Sequence, residues 1–113
     1  MELQTIWEEG FPVVTISGRF TGMSCSAALS ASVDAALARP GPGAILDFGG
    51  ALYVSSSGLR AVAIAVNTAR RADMRIVVVA STQMIRDVFS LSGFDQIFDI
   101  VDTRKAARER LAS

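Results

Sequence analysis

The chain of 113 residues has no histidine, and only one cysteine, one tryptophan, one tyrosine and one lysine. Without imidazole there is no histidine base, no histidine metal ligand and no histidine switch near neutral pH. Ser-His-Asp and Cys-His nucleophile systems and histidine-rich zinc sites are therefore excluded within the chain. Cys25 alone makes neither an internal disulfide nor a four-thiolate metal site, and it fits a reducing, cytoplasmic setting. No long uncharged apolar run is present, so membrane insertion is not expected. Residues 1–10 lack the basic start and apolar stretch of a signal peptide. An excess of charge is missing too. The 11 basic and 11 acidic residues give a formal net charge of +0, which exerts no global pull on nucleic acid. Neither GxGxxG nor GxxxxGK followed by serine or threonine occurs, which argues against a bound nucleotide, and no cofactor is expected. The aspartates form no dense run of oxygen ligands for a metal ion.

Half of the residues are hydrophobic, which opposes disorder. Area scaling predicts roughly 6,000 Å² of folded surface and burial of roughly two thirds of the extended chain's surface, enough for one core. No linker, repeat or low-complexity stretch divides residues 1–113, so one domain is expected.

Alternation at Leu3, Thr5 and Trp7, then Val13 to Ser17, predicts a hairpin turning at Glu9-Gly10 and ending at Gly18. Leu29, Val33, Ala36 and Leu37 share a helical face, with Ser24 as its cap, and Arg39-Pro40-Gly41-Pro42-Gly43 forms the exit. Ala44 to Phe48 predicts a central strand, followed by a tight turn at Gly49-Gly50. Leu59, Val62, Ala63 and Val66 recur at helix spacing. Met74 to Ala80, almost continuously apolar, suits a strand covered on both faces. A helix capped by Ser81 carries Met84, Ile85, Val88 and Phe89, and closes near Gly93. Ile97 to Ile100 forms the last strand. A final helix capped by Asp102 turns Ala106, Ala107, Arg110 and Leu111 toward the core. The order β-β-α-β-α-β-α-β-α predicts an α/β fold: a mixed, mostly parallel sheet with an N-terminal β-hairpin and four helices.

The segment Tyr53-Val54-Ser55-Ser56-Ser57-Gly58-Leu59-Arg60 places three hydroxyls at a loop-to-helix junction. There, free backbone N–H groups meet the positive end of the helix dipole. A hydroxyl in that position caps the helix, and a phosphate carried by one of these serines is tolerated there. Asp47, at the end of the central strand, either faces the crevice where open α/β sheets hold sites or orients the following turn. Arg104, Lys105, Arg108 and Arg110 form a basic tail without aromatics, which reads as a solvated helix rather than a nucleic-acid surface.

Three landmarks together resemble the STAS domain, in particular the stand-alone bacterial anti-sigma factor antagonists. They are Gly18-Arg19-Phe20-Thr21, Ile45-Leu46-Asp47-Phe48-Gly49-Gly50 and the Tyr53–Leu59 segment. The resemblance covers nearly the whole chain and implies a non-catalytic partner switch. The unphosphorylated antagonist binds a serine-kinase anti-sigma factor and frees the sigma factor; phosphorylation blocks binding, and a serine phosphatase reverses it. The family's phosphoacceptor position falls on Ser56, with Ser55 and then Ser57 as the neighbouring choices. Thr21, Asp47, Tyr53, Ser55, Ser57, Gly58 and Leu59 are the implied partner-binding residues. Two usual acidic positions differ: Ser55 replaces the aspartate before the phosphoacceptor, and Thr21 replaces an acid after the first landmark. The alternative within the same family is a non-switching scaffold subunit of a lipid-transport or multiprotein signalling complex. An edge strand and the helical faces permit a homodimer without requiring one.

Overall fold

The computed structural model describes residues 1–113. Strands β1 (Glu2–Glu8) and β2 (Phe11–Phe20) form an antiparallel hairpin. Its turn residues Glu9 and Gly10 have φ of 52° and 87°, the positive values whose backbone twist matches that of the flanking strands. Then follow α1 (Met23–Leu37), β3 (Gly43–Val54), α2 (Ser56–Arg71), β4 (Arg75–Val79), α3 (Gln83–Leu91), β5 (Asp99–Val101) and α4 (Arg104–Ala112). The sheet runs β1-β2-β3-β4-β5, and every neighbouring pair from β2 to β5 is parallel. The fold class read from the element order is the one observed. The accessible surface, 5851 Å², agrees with area scaling for the chain's mass.

Parallel crossovers are right-handed, so stepping from β2 to β5 in one direction puts α1, α2 and α3 on the same face. The side chains agree. Val14, Ile16, Leu46, Phe48, Ile76 and Val78 pack with Leu29, Val33, Val62, Ile85 and Phe89 in the larger core. The opposite face, with Val13, Ile45, Val77, Val79 and Val101, is covered by Ala107 and Leu111 of α4. An edge-to-face aromatic series joins Phe20 to Phe48, Phe48 to Phe89 and Phe89 to Phe98, with centroids 5.6, 5.6 and 6.0 Å apart. This packing ties β2, β3, α3 and the segment before β5 into one layer.

Several local boundaries differ from expectation. Gly18 does not end β2, which continues to Phe20, and Gly49-Gly50 lies inside β3 rather than in a turn. All three glycines lie at irregular pairing: the β2–β3 register shifts between Thr15 and Ser17 and again between Gly18 and Arg19. An extra residue in one strand bends the pair without breaking it. The caps also sit one or two residues away. Gly22 precedes α1 without a side-chain cap, whereas Thr82 Oγ1 accepts from Ile85 N and Thr103 Oγ1 from Ala106 N. Ile97 is exposed and β5 starts only at Asp99. Arg110 is exposed and pairs with Asp99, not with the core. Cys25 is buried, with its thiol against the Gly22 carbonyl.

Phe48 is fully buried between Phe20 and Phe89, in the middle of the aromatic series. Phe48→Ala is expected to cost about 3–5 kcal/mol of unfolding free energy. Urea unfolding of both proteins measures it through the shift in midpoint at unchanged slope.

Candidate functional site

Beyond Asp47 the third strand loses β4 as a neighbour and pairs with β2 alone. The ends of β2 and β3 therefore project together from the sheet. From their carboxyl ends the chain turns directly into α1 and α2, so two helix N-termini stand side by side on one rim. Ser55 N donates to the Phe20 carbonyl at 3.1 Å, locking the start of α2 to the end of β2. Gly58 completes the lock. A β-carbon there would lie 2.6 Å from the Phe20 oxygen and 2.8 Å from its ring, so only glycine lets the helix approach this closely.

The three serines have different surroundings. Ser55 is the N-cap: its Oγ accepts from Gly58 N at 3.1 Å and lies 3.5 Å from the Phe20 carbonyl. Ser57 is half-buried, and its Oγ shares a 2.8 Å hydrogen bond with Ser55 Oγ. Ser56, the first helical residue, is exposed and makes no side-chain hydrogen bond. Capping and an available hydroxyl, open alternatives in the sequence, thus fall on different residues.

The remaining implied contact residues divide by burial. Thr21 is half-buried beside Phe20, and Tyr53 is 42% exposed, with the Arg19 guanidinium 5.0 Å from its ring centroid. Leu59 and Gly58 are buried and support the junction from below. Asp47 is only 9% exposed and turned toward α4. It accepts from Gly49 N at 2.8 Å and from Arg104 Nε at 2.6 Å. Its position orients the following backbone and anchors the last helix. The hydrogen bond that Arg104 donates to Asp47, with Glu8 adding to it, holds the guanidinium above its ordinary pKa against the cost of its burial. Arg104 also reaches Glu8 at 2.9 Å, and Arg108 pairs with both Glu8 and Glu9. Arg104 and Arg108 of the basic tail are thus committed to the hairpin and to Asp47, and Arg110 to Asp99.

Two apolar residues near this junction are exposed, Met23 at 94%, which the sequence assigns to the core or a helix surface, and Leu52 at 66%. Leu52 falls where the β2–β3 register slips, so period-two alternation gives no sign of which way it points. Met23 opens α1 but lies off its buried face. No group of three histidine, cysteine, aspartate or glutamate side chains converges to hold a metal ion. The largest surface depression is lined by α3 and the β5 region, including Arg86, Asp87, Phe98 and Asp99, and none of the three serines borders it. The junction is an open rim rather than a cleft. No helix is long and apolar enough to cross a membrane.

Comparisons with known proteins agree with this architecture. The family model described as "Mlab, STAS domain" matches residues 4–102. Over 63 residues the chain is 36% identical to BtrV of Bordetella bronchiseptica, a protein named as an anti-sigma factor antagonist. That match takes in 56% of this chain and 54% of the relative, so it spans about half the length of that curated protein. The crystal structure of an anti-sigma factor antagonist from Mycobacterium paratuberculosis superimposes with a TM-score of 0.81 at 20% identity, covering 99% of this chain and 94% of that one. The unphosphorylated form of the anti-sigma factor antagonist SpoIIAA gives 0.70 at 17% identity, covering 99% of both chains. At these identities the two structures establish a shared fold.

The serines are separable by stability. Ser55→Ala removes the cap and is expected to cost about 1 kcal/mol, whereas Ser55→Asp keeps an acceptor there and retains stability. Ser56→Ala touches no bond and should stay within about 0.5 kcal/mol of the parent. Thermal unfolding of the three variants in one buffer checks the order.

Proposed function

The chain belongs to the STAS domain family, and from that premise we propose that it is an anti-sigma factor antagonist in a cytoplasmic partner-switching pathway. Residues 1–113 act as one domain that works by binding. The unphosphorylated protein docks its rim on a serine-kinase anti-sigma factor and releases the sigma factor. Phosphorylation at Ser56 abolishes docking, and a serine phosphatase restores it.

One observation carries the choice of residue. Of the three hydroxyls, only that of Ser56 is exposed and free of side-chain hydrogen bonds, whereas Ser55 and Ser57 are bonded to each other and to the junction. A kinase reaches Ser56 without dismantling the cap. The phosphate adds about 1.5 to 2 negative charges and three acceptor oxygens. At the first position of α2 those charges meet the positive helix end, so the domain stays folded while its docking face changes. Thr21 and Tyr53 flank the serine on the same rim. Gly58 and Leu59 support it from behind, while Asp47 holds the backbone after β3's paired half and anchors α4.

Affinity capture from source-cell lysate, with and without ATP, tests the reading when followed by partner identification and phosphosite mapping. The expected result is capture of a serine-kinase anti-sigma factor that ATP abolishes, with phosphate on Ser56. Ser56→Ala should hold the kinase despite ATP, and Ser56→Asp should weaken it by about tenfold or more, roughly 1.4 kcal/mol. Equal kinase affinity of a homogeneously Ser56-phosphorylated sample overturns the switch. So does an unmodified protein held in an ATP-insensitive transporter or scaffold complex.

A further inference from the structure

The charges of the chain balance overall but not locally. Between Thr15 and Val33, and again between Phe48 and Ala72, there is no aspartate or glutamate. These stretches supply the second half of β2, most of α1, the projecting half of β3 and all of α2. Neither α1 nor α2 carries an acid in its first turn, where an acid would complement the dipole. The charged side chains of the rim are Arg19, beside Tyr53, and Arg60, one turn beyond Ser56. Neither forms an ion pair, whereas Arg75, Arg86, Arg104, Arg108 and Arg110 are each committed to a carboxylate. The nearest acid in the sheet register is Glu2, opposite Ser17, and its bond goes to Gln4. Farther along the same end of the sheet, Asp87 and Asp102 are engaged by Gln83 and Arg86.

Resting on the docking role proposed above, we infer that this rim takes a partner surface that is acidic and apolar: carboxylates facing Arg19 and Arg60, and apolar side chains covering Met23, Leu52 and Tyr53. Exposed Met23, Leu52 and Tyr53 and the unpaired Arg19 and Arg60 all lie at this end of the sheet and its helix starts, which gives it an attraction that is both hydrophobic and single-signed. The two acidic positions that this chain lacks, at Ser55 and Thr21, lie on the same rim, and an acid at either would reverse part of its field. Selectivity follows. A basic partner surface would bring like charges together and be rejected. Phosphate on Ser56 adds about two negative charges to the rim that carries both arginines, offsetting the attraction rather than merely adding bulk.

The test uses the isotopically labelled full chain and two synthetic peptides of equal length and apolar content, one with glutamate and one with lysine at its charged positions. The glutamate peptide should shift the amide resonances of Arg19, Met23, Tyr53 and Arg60, bind at least about tenfold tighter than the lysine peptide, and weaken with added salt. Arg19→Glu with Arg60→Glu should reverse the preference, and Arg19→Gln with Arg60→Gln should abolish it. Equal binding of both peptides, no binding of either, or shifts clustered elsewhere overturns the inference. The two proposals fail separately. Kinase capture that is indifferent to both arginine variants removes this inference and leaves the switch. A glutamate preference on the rim without any captured kinase removes the switch and leaves the face.

Discussion

The structure depends on β3 being paired on both sides and covered on both faces over its first half. Residues Ala44 to Phe48 are all buried, which removes both rows of their side chains from water. Burial on that scale requires every backbone N–H and C=O of the strand to find a partner, and parallel pairing with β2 and β4 supplies them. The helices then have fixed places. Three lie on one face because the crossovers share a hand, and α4 closes the other with two small contacts and a set of arginine–carboxylate pairs. Asp47 belongs to this arrangement. A carboxylate in an otherwise apolar strand is tolerated because Gly49 N and Arg104 satisfy its oxygens.

The second half of the same strand obeys the opposite condition. Past Asp47 it has only β2 as a neighbour, and its side chains are partly exposed. A strand rigid at one end and projecting at the other is a good mount for a contact surface: the buried half fixes position, and the free half presents side chains. The Phe20 carbonyl, bound by Ser55 N and nearly touched by Gly58, transfers that rigidity to the first turn of α2. The exposed Ser56 hydroxyl is therefore held on a defined backbone rather than on a loop, as the switch proposed above requires of it.

Most of the architecture was legible from the residues because its determinants are local or periodic. The β-branched run Ile76–Val79 reads as a doubly covered strand whatever its neighbours, and Leu59, Val62 and Val66 mark one helical face. What escaped depends on pairs distant in sequence. Gly18, Gly49 and Gly50 look like turn residues, yet the β2–β3 ladder runs through them with an irregular register. No single stretch shows that an extra residue is to be absorbed. Caps were displaced because serine, threonine and aspartate occur in clusters at each helix start, and composition does not say which oxygen meets the free N–H. The basic character of α4 suggested a solvated helix; its arginines in fact reach Glu8 and Asp47 across the sheet, a pairing set only by topology. At the site, the serine cluster was legible but its division of labour was not, since capping by Ser55 rests on the approach of Phe20 from another strand.

That division bears on the residue changes that distinguish this chain from the pattern it resembles. An aspartate and a serine are both good N-caps, so replacing one by the other at position 55 leaves α2 anchored and alters only charge. At Thr21 the change also removes charge without disturbing a core contact, since that side chain is half-buried at the end of β2. Two substitutions that are nearly silent for folding therefore act together on the electrostatics of a single rim. Surface charge adjusts partner choice and association rate more readily than it adjusts stability. A scaffold held by β3 and Gly58 can accordingly keep its geometry and the position of its hydroxyl while the sign of the surface around that hydroxyl is free to follow a different partner.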